Sequence, residues 1–276
     1  MIRFMLSNIG AVQAQSKEKQ ECNIEMETIS IVLNCYRRTR WFAEQLNAIK
    51  NQSIKPIEIL VWKNYSPNES ISSELTKDLT VVDCNKNLGV WARFSLALNC
   101  KGKYICIFDD DTIPGKDWLK NCLDNININD GLLGTVGVKF GDKNYSWNNL
   151  NRVGWCNPNN NIQRVDIVGH SWFFKKELLT VFWRELPPEN LPLIVGEDIH
   201  FAHMIQKYTN LGVYVPPHPF NNKNMWGSLN GENYGHSQEG ITMNTYKLNG
   251  NQLTAGQLMG AYLSCKVDSG FKLLSN

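Results

Sequence analysis

The chain has 276 residues, of which 42% are hydrophobic and 20% charged, a composition typical of a globular protein that buries a sizeable core. Its net charge of +2 gives no electrostatic argument for binding nucleic acid or an acidic membrane. No stretch is apolar enough to span a membrane, and the eight cysteines include no C-x-x-C pair. We therefore expect free thiols in a reducing compartment and a cytoplasmic protein. Contact with a membrane through a partner stays open.

Four short apolar runs in the first half are typical of buried strands, and helical patterns lie between the first and second and between the third and fourth. The runs cover residues 29–34, 57–62, 79–82 and 104–108. This alternation predicts an α/β fold in which a mostly parallel, Rossmann-like sheet is flanked by helices. Ligands of such sheets bind at the carboxyl ends of the strands.

Three consecutive aspartates, Asp109 to Asp111, follow the fourth predicted strand directly. Adjacent carboxylates repel one another, and hard oxygen ligands suit Mg²⁺ or Mn²⁺. Polar residues also follow the other predicted strands, at 34–38, 63–65 and 85–87. Because these ends meet at one edge of the sheet, the four loops favour a site for metal and nucleotide over a solvated turn of aspartates.

The second half of the chain is less regular. The patterns are typical of strands at 132–140, 165–174 and 213–216, and of a loop or short hairpin at 145–161. Gly196-Glu197-Asp198 is expected to open a helix over 199–208, because acidic residues are favourable at a helix start. The Asn- and Gly-rich segment 217–240 predicts a loop that closes over the site as a lid.

The order of short motifs resembles a known family. Residues 34–38 read N-C-Y-R-R, residues 85–94 N-K-N-L-G-V-W-A-R-F, residues 102–112 G-K-Y-I-C-I-F-D-D-D-T, and residues 196–199 G-E-D-I. Together they resemble the GT-A nucleotide-sugar glycosyltransferases, particularly the family 2 type, over roughly residues 28–220. The D-D-D and G-E-D-I segments, with V-G-H-S-W-F-F at 168–174, also resemble exostosin-type transferases.

For the donor, the resemblance implies that Mn²⁺ or Mg²⁺ bridges the diphosphate. Asp111 is then the direct ligand, Asp109 a ligand that also meets ribose or sugar, and His218 the third ligand, with His236 as second choice. Asn64 stands where the family often has Asp, which leaves the base open. The implied contacts to the nucleotide are Asn34, Tyr36, Arg38, Asn64, Asn87, Arg93, Asp109 and Asp110.

For the acceptor, the resemblance places Asp198 and Glu197 beside the hydroxyl that reacts. In an inverting enzyme Asp198 takes the proton from that hydroxyl, and an aspartate there is also a favoured helix N-cap. Candidate aromatic and imidazole side chains of the acceptor site are His170, Trp155, Trp172 and Trp226. For Trp172, core packing is the better interpretation.

We expect a metal-dependent glycosyltransferase that moves a sugar from a nucleoside-diphosphate sugar, most simply a UDP-sugar, to a hydroxyl of a glycan, glycolipid or glycoprotein, with inversion slightly favoured. The alternatives are a retaining exostosin-like transferase, a sugar-phosphate nucleotidyltransferase, which the Gly-free loop 35–40 disfavours, and a non-catalytic sugar-binding relative. We predict an N-terminal extension at 1–27, a catalytic domain at 28–240, and a C-terminal segment at 241–276 that packs on it.

Overall fold

The structure is a computed structural model that describes residues 27–229, 231, 240 and 244–275, without the side chain of Trp147. Its strands are β1 (Ile29–Cys35), β2 (Glu58–Lys63), β3 (Thr80–Asp83), β4 (Tyr104–Phe108), β5 (Gly131–Phe140), β6 (Leu150–Gly154), β7 (Gln163–Arg164), β8 (Ile167–Lys175), β9 (Gly212–Val215), β10 (Thr245–Leu248) and β11 (Asn251–Thr254). Its α-helices are α1 (Phe42–Lys50), α2 (Ser73–Thr76), α3 (Ala92–Ala97), α4 (Trp118–Ile126), α5 (Leu178–Phe182), α6 (Glu197–Tyr208) and α7 (Ala255–Asp268).

One large sheet organises the molecule, in the order β3-β2-β1-β4-β8-β5-β9-β7, with β6 paired to β5. The four strands β3, β2, β1 and β4 are parallel to one another. Beyond them β8 runs antiparallel to both β4 and β5, and β9 is parallel to β5. The predicted α/β architecture, with a Rossmann-like parallel sheet between helices, is confirmed.

Both faces of the sheet are covered, which explains why β1 and β4 are apolar along their whole length rather than alternating. Ile31 packs with residues of α1 and α4 on one face. Its neighbour Val32 packs on the opposite face with residues of α3, α5, α6 and α7. Successive side chains of a strand point to opposite faces, so one continuous apolar run supplies both cores.

The segment expected to be a loop or short hairpin at 145–161 contains a strand of the sheet, β6, which pairs antiparallel with β5. The strand ends at Gly154, which has a positive φ of 115° and where an added Cβ would lie 2.2 Å from the Thr135 carbonyl oxygen. Polar residues conceal this strand in the sequence because only Val153 and Gly154 of β6 are buried.

The C-terminal segment forms a hairpin and a helix. Asn249 and Gly250, both with positive φ, make the two-residue turn between β10 and β11, and Asn-Gly is the favoured pair for such a turn. Thr254 and Gln257 then form a capping box at the start of α7. Residues 1–26 and most of 230–243 lie outside the described residues, so domain limits at 27 and 240 stay predictions.

Within the described part of the chain, no helix combines the length and apolar character needed to cross a membrane. The seven cysteines described there are all free, as expected from their spacing. Burial in the core raises the pKa of Cys106 and Cys122 well above the ordinary value, which keeps these thiols protonated and unreactive.

Candidate active site

The aspartate triplet lies where β4 ends, beside a strand that the sequence reasoning had not paired with it. β8 runs antiparallel to β4 and pairs Ser171 with Phe108. The backbone N–H of Asp109 then donates to the carbonyl of His170 at 3.0 Å. This register brings a histidine from the second half of the chain directly against the triplet.

Asp109, Asp111 and His170 each offer one ligand atom, and these atoms lie within 4.8 Å of one another. The Nδ1 atom of His170 is 3.6 Å from Oδ1 of Asp111. His170 has a φ of 65°, a conformation that is uncommon for residues other than glycine and that often marks a functional site. Two carboxylates and an imidazole form a donor set that fits a divalent transition metal.

His218, predicted as the third metal ligand, does not join this cluster. Its side chain is fully buried; Nδ1 lies 2.8 Å from the Pro216 carbonyl, and Nε2 accepts from the backbone N–H of Gly227 at 3.0 Å. Both ring nitrogens of His218 therefore hydrogen-bond to the backbone of its loop, so the structure does not place His218 with the aspartates as predicted. The imidazole that lies with them is that of His170. His236, the second choice, lies outside the described residues.

Arg38 neutralises two members of the triplet. Its guanidinium donates to Oδ1 of Asp110 through Nε at 2.9 Å and through Nη2 at 2.6 Å, and to Oδ2 of Asp111 through Nη1 at 2.7 Å. Burial alone would raise the pKa of Asp111, but His170 and Arg38 outweigh it and hold that pKa below the ordinary value. Asp111 is thus held in its ionised form.

Arg93 joins the aspartate triplet to the acidic pair at the start of α6. Its side chain is only 2% exposed, and it pairs with Asp109 through Nη1 and with Oε1 of Glu197 through Nη2 at 2.6 Å. The guanidinium also lies over the ring of Trp172, 4.3 Å from its centroid. The structure therefore places Arg93 beneath the site, where one buried cation serves two carboxylates, and Trp172 in the core as expected.

Glu197 and Asp198 open α6, as predicted. They follow Gly196, whose φ of 89° is available to glycine without strain. A Cβ at this position would lie 2.4 Å from the ring of Tyr262 in α7. Oδ1 of Asp198 accepts from the backbone N–H of Ile199 at 2.7 Å. Burial raises the pKa of Asp198 to about 6, and burial likewise raises the pKa of Glu197.

A cavity of about 140 Å³ lies beside this cluster, over the ends of β1 and β2. It contains four of the predicted nucleotide-binding residues. Nδ2 of Asn64 donates to Oδ1 of Asn87 at 2.7 Å, and Nδ2 of Asn87 donates to the hydroxyl of Tyr36 at 2.9 Å. The lining residues are Asn34, Tyr36, Arg37, Asn64, Asn87, Gly89, Val90, Ile194, Asn244, Thr245 and Tyr246.

Tyr36 connects the cavity to the aspartates. Its side chain accepts from Asn87 inside the cavity, and its backbone N–H donates to Oδ2 of Asp110 at 3.2 Å. The predicted site residues other than His218 thus occur in two adjoining groups, an amide-lined cavity and a carboxylate cluster. Sequence reasoning missed the position of His170 beside Asp109 and Asp111, and residues 244–246 as part of the cavity wall.

Two other residues predicted for the acceptor site, Trp155 and Trp226, lie outside the core position that Trp172 occupies. The ring of Trp155 makes an edge contact with that of His170, with centroids 6.1 Å apart. Trp226 is 7% exposed and donates through Nε1 to the Pro219 carbonyl at 2.8 Å. Trp155 therefore lies next to the carboxylate cluster, whereas Trp226 stabilises the loop that contains His218.

Residues 30–185 match the family model described as glycosyl transferase family 2. A curated relative, an uncharacterized glycosyltransferase of Haemophilus influenzae, is 26% identical over 110 residues, which cover 38% of this chain and 34% of the relative. The matching region thus spans about a third of that relative's length.

Solved structures of S. aureus TarS are also similar to this chain. The 1–349 fragment in complex with UDP aligns with 16% identity and a TM-score of 0.48, over 68% of this chain and 60% of TarS 1–349. The complex with UDP-GlcNAc gives 16% identity and a TM-score of 0.48, over 71% and 60%.

Proposed function

This chain belongs to glycosyl transferase family 2, and from that premise we propose that it transfers a sugar from a nucleoside-diphosphate sugar to an acceptor hydroxyl with the help of a divalent cation. The observation that carries the proposal is the continuity of the site. Tyr36 hydrogen-bonds to Asn87 in the cavity and to Asp110 in the carboxylate cluster. Because the two groups adjoin through Tyr36, one nucleoside diphosphate would place its base in the cavity and its phosphates near the aspartates.

The cation would be held by Asp109, Asp111 and His170, whose donor atoms already lie together. Bound there, Mn²⁺ or Mg²⁺ supplies positive charge for the diphosphate that leaves. The imidazole favours Mn²⁺, because Mg²⁺ prefers oxygen ligands. Arg38 lies in the same cluster, and its guanidinium neutralises the carboxylate charge that would otherwise repel a phosphate.

We assign the acid–base chemistry to Asp198. The acceptor oxygen attacks the anomeric carbon, the bond from that carbon to the diphosphate oxygen breaks, and the hydroxyl proton passes to the Asp198 carboxylate. A pKa of about 6 suits this role, since the group is ionised at neutral pH yet more basic than an ordinary aspartate. Attack opposite the leaving group gives inversion at the anomeric carbon.

Glu197 and Arg93 are positioning residues in this scheme. Glu197 is 7% exposed and is held by the buried Arg93 guanidinium at 2.6 Å, so it fixes the first turn of α6 rather than meeting the acceptor. The acceptor side is bounded by Trp155, beside His170. Aromatic faces pack on sugar rings, and we propose a hydroxyl of a glycan, glycolipid or glycoprotein as acceptor.

A donor-hydrolysis panel tests the proposal. UDP-, CDP-, GDP- and ADP-sugars are incubated with the full chain in Mn²⁺, and release of the nucleoside diphosphate is followed. We expect release from donors of one base class, loss of release in EDTA, and recovery when Mn²⁺ is added back. If the folded protein releases no nucleoside diphosphate from any donor, the proposed donor class is wrong. If release does not depend on Mn²⁺, the proposed cation is wrong.

A further inference from the structure

We propose that the β10–β11 hairpin forms one wall of the nucleobase subsite, with Tyr246 contacting the base and setting the preference among bases. This inference rests on the proposed function. It assigns recognition of the base to the C-terminal segment, well outside the region of the chain that matches the family model at residues 30–185.

The first observation is the size and position of the cavity. Its volume of about 140 Å³ is well below the roughly 300–1,000 Å³ of pockets that enclose a drug-sized ligand. It therefore suits one ring system and not a whole nucleotide sugar. The carboxylates of the triplet do not line it, so the phosphates would lie outside it, next to Asp110.

The second observation is the chemistry of the lining. Four asparagines, Asn34, Asn64, Asn87 and Asn244, face the cavity. Each amide has both donors and an acceptor, which matches the polar edge of a base. Asn64 and Asn87 are tied to each other, whereas the structure shows no side-chain hydrogen bond for Asn34 within its described residues. Asn34 is therefore available to the edge of the base.

The third observation is the placement of Tyr246. It is half-buried and pairs with Leu253 across the hairpin, and it lines the cavity together with Tyr36 and Arg37. The guanidinium of Arg37 lies 5.0 Å from the ring centroid of Tyr36. Burial raises the pKa of Tyr246 and the charge of Arg37 opposes that rise, which agrees with this proximity. An aromatic ring at this position offers a stacking surface to a base.

The hairpin is anchored to the rest of the site. The capping box at Thr254 starts α7, whose Tyr262 is fully buried. The hydroxyl of Tyr262 donates to the Pro192 carbonyl at 2.8 Å, and Ile194 two residues later lines the same cavity. The wall formed by residues 244–246 is therefore connected, through α7 and Tyr262, to the part of the cavity wall that contains Ile194.

Calorimetry on the full chain with Mn²⁺ tests the inference, with UDP, CDP, GDP, ADP, the matching nucleosides and inorganic pyrophosphate as probes. For the base that wild type prefers, we expect Tyr246→Ala to weaken the nucleoside diphosphate and the nucleoside by about 5- to 150-fold in Kd, the range of base–aromatic stacking. Pyrophosphate should bind as it does to wild type, and Tyr246→Phe should retain most of the affinity.

Lys247→Ala is the matched control, because Lys247 is the next residue of β10, is exposed, and does not line the cavity. Asn244→Ala is a second variant should Tyr246→Ala fold poorly, and it too should weaken the nucleoside and spare pyrophosphate. If either folded variant binds the nucleoside as wild type does, or loses pyrophosphate equally, the inference is wrong while the proposed function stands. If wild type binds no nucleoside diphosphate, the proposed function itself fails.

Discussion

The two halves of the sheet contribute to the site in different ways. In the parallel half, β1 to β4, the site residues lie at the ends of their strands: Asn34 is next to last in β1, and Asn64 and Asp109 directly follow β2 and β4. In the other half, His170 lies within β8, Asp198 begins a helix, and Tyr246 lies on a separate hairpin. In the proposed scheme, the parallel half is a sheet edge where a nucleotide would bind by its topology. The second half would supply the groups that make the chemistry specific.

The largest expected effect comes from removing the proposed base while the parallel half stays intact. We expect Asp198→Asn to lower kcat by about 10²- to 10⁴-fold, the usual contribution of a general base, while the Kd of the donor changes little. Steady-state kinetics and donor calorimetry measure the two quantities. Asp78→Asn, a change at an exposed aspartate, is the control. Near wild-type turnover in Asp198→Asn would remove this residue from the mechanism.

The pH dependence gives a second measure of the same group. An acid with a pKa of about 6 must be ionised to accept a proton, so kcat should fall as the pH drops below about 6. A profile that stays flat down to pH 5 would exclude Asp198 as the base.

The ion network between the halves should matter for stability. Arg93→Met leaves Asp109 and Glu197 buried without their shared cation, and removing one partner of a buried pair costs about 3–5 kcal/mol. Urea unfolding measures the loss. Arg164→Met, at an exposed arginine, should change the free energy of unfolding by less than about 0.5 kcal/mol. Equal stability of the two variants would show that the network contributes nothing.

The turn before Asp198 depends on the C-terminal helix. Gly196→Ala places a Cβ 2.4 Å from the ring of Tyr262 at a φ of 89°, so we expect a loss of roughly 2–4 kcal/mol from strain and overpacking. Gly270 also has a positive φ, but nothing lies within 4 Å of an added Cβ. Gly270→Ala should therefore cost only about 1–2 kcal/mol. If thermal unfolding gives equal losses, contact with Tyr262 is not what fixes the turn.

The smallest expected effect is the contribution of His218 to the pH dependence of stability. Burial lowers the pKa of His218 to about 4, so the folded state binds fewer protons than the unfolded state between about pH 6.5 and pH 4. Stability from this group is present above pH 6.5 and is lost as the pH falls, by about 2 kcal/mol between pH 7 and pH 5. His218→Gln should reduce the slope of unfolding free energy against pH; an unchanged slope would show that His218 is not responsible.

The sequence predicted the parallel half closely, because local patterns determine it. The run 104–108 coincides with β4, and the aspartates follow at the strand end as expected. The position of Glu197 and Asp198 at the start of α6 was also predicted, since acidic residues at a helix start are a local signal. The position of His170 beside the aspartates could not be recognised, because it depends on the antiparallel pairing of β8 with β4. That pairing joins residues about sixty positions apart.

The cavity wall was missed for a similar reason. Asn249-Gly250 is a recognisable hairpin turn, so the hairpin itself was within reach of the sequence. Its packing beside Tyr36 depends on α7 and on Tyr262, which contacts residues about seventy positions earlier. His218 was assigned to metal on family resemblance alone, and the buried backbone groups that it serves leave no trace in local sequence.

Calorimetry of nucleoside diphosphates with and without Mn²⁺ tests whether the two halves of the sheet together bind one nucleotide and one cation. If Asp109, Asp111 and His170 hold a cation beside the cavity, at least one of UDP, CDP, GDP and ADP should bind about tenfold or more tightly with Mn²⁺. Asp111→Asn should abolish that difference. If none of the four binds in a metal-dependent way to folded wild-type protein, the proposed cation site and its link to the nucleotide are wrong.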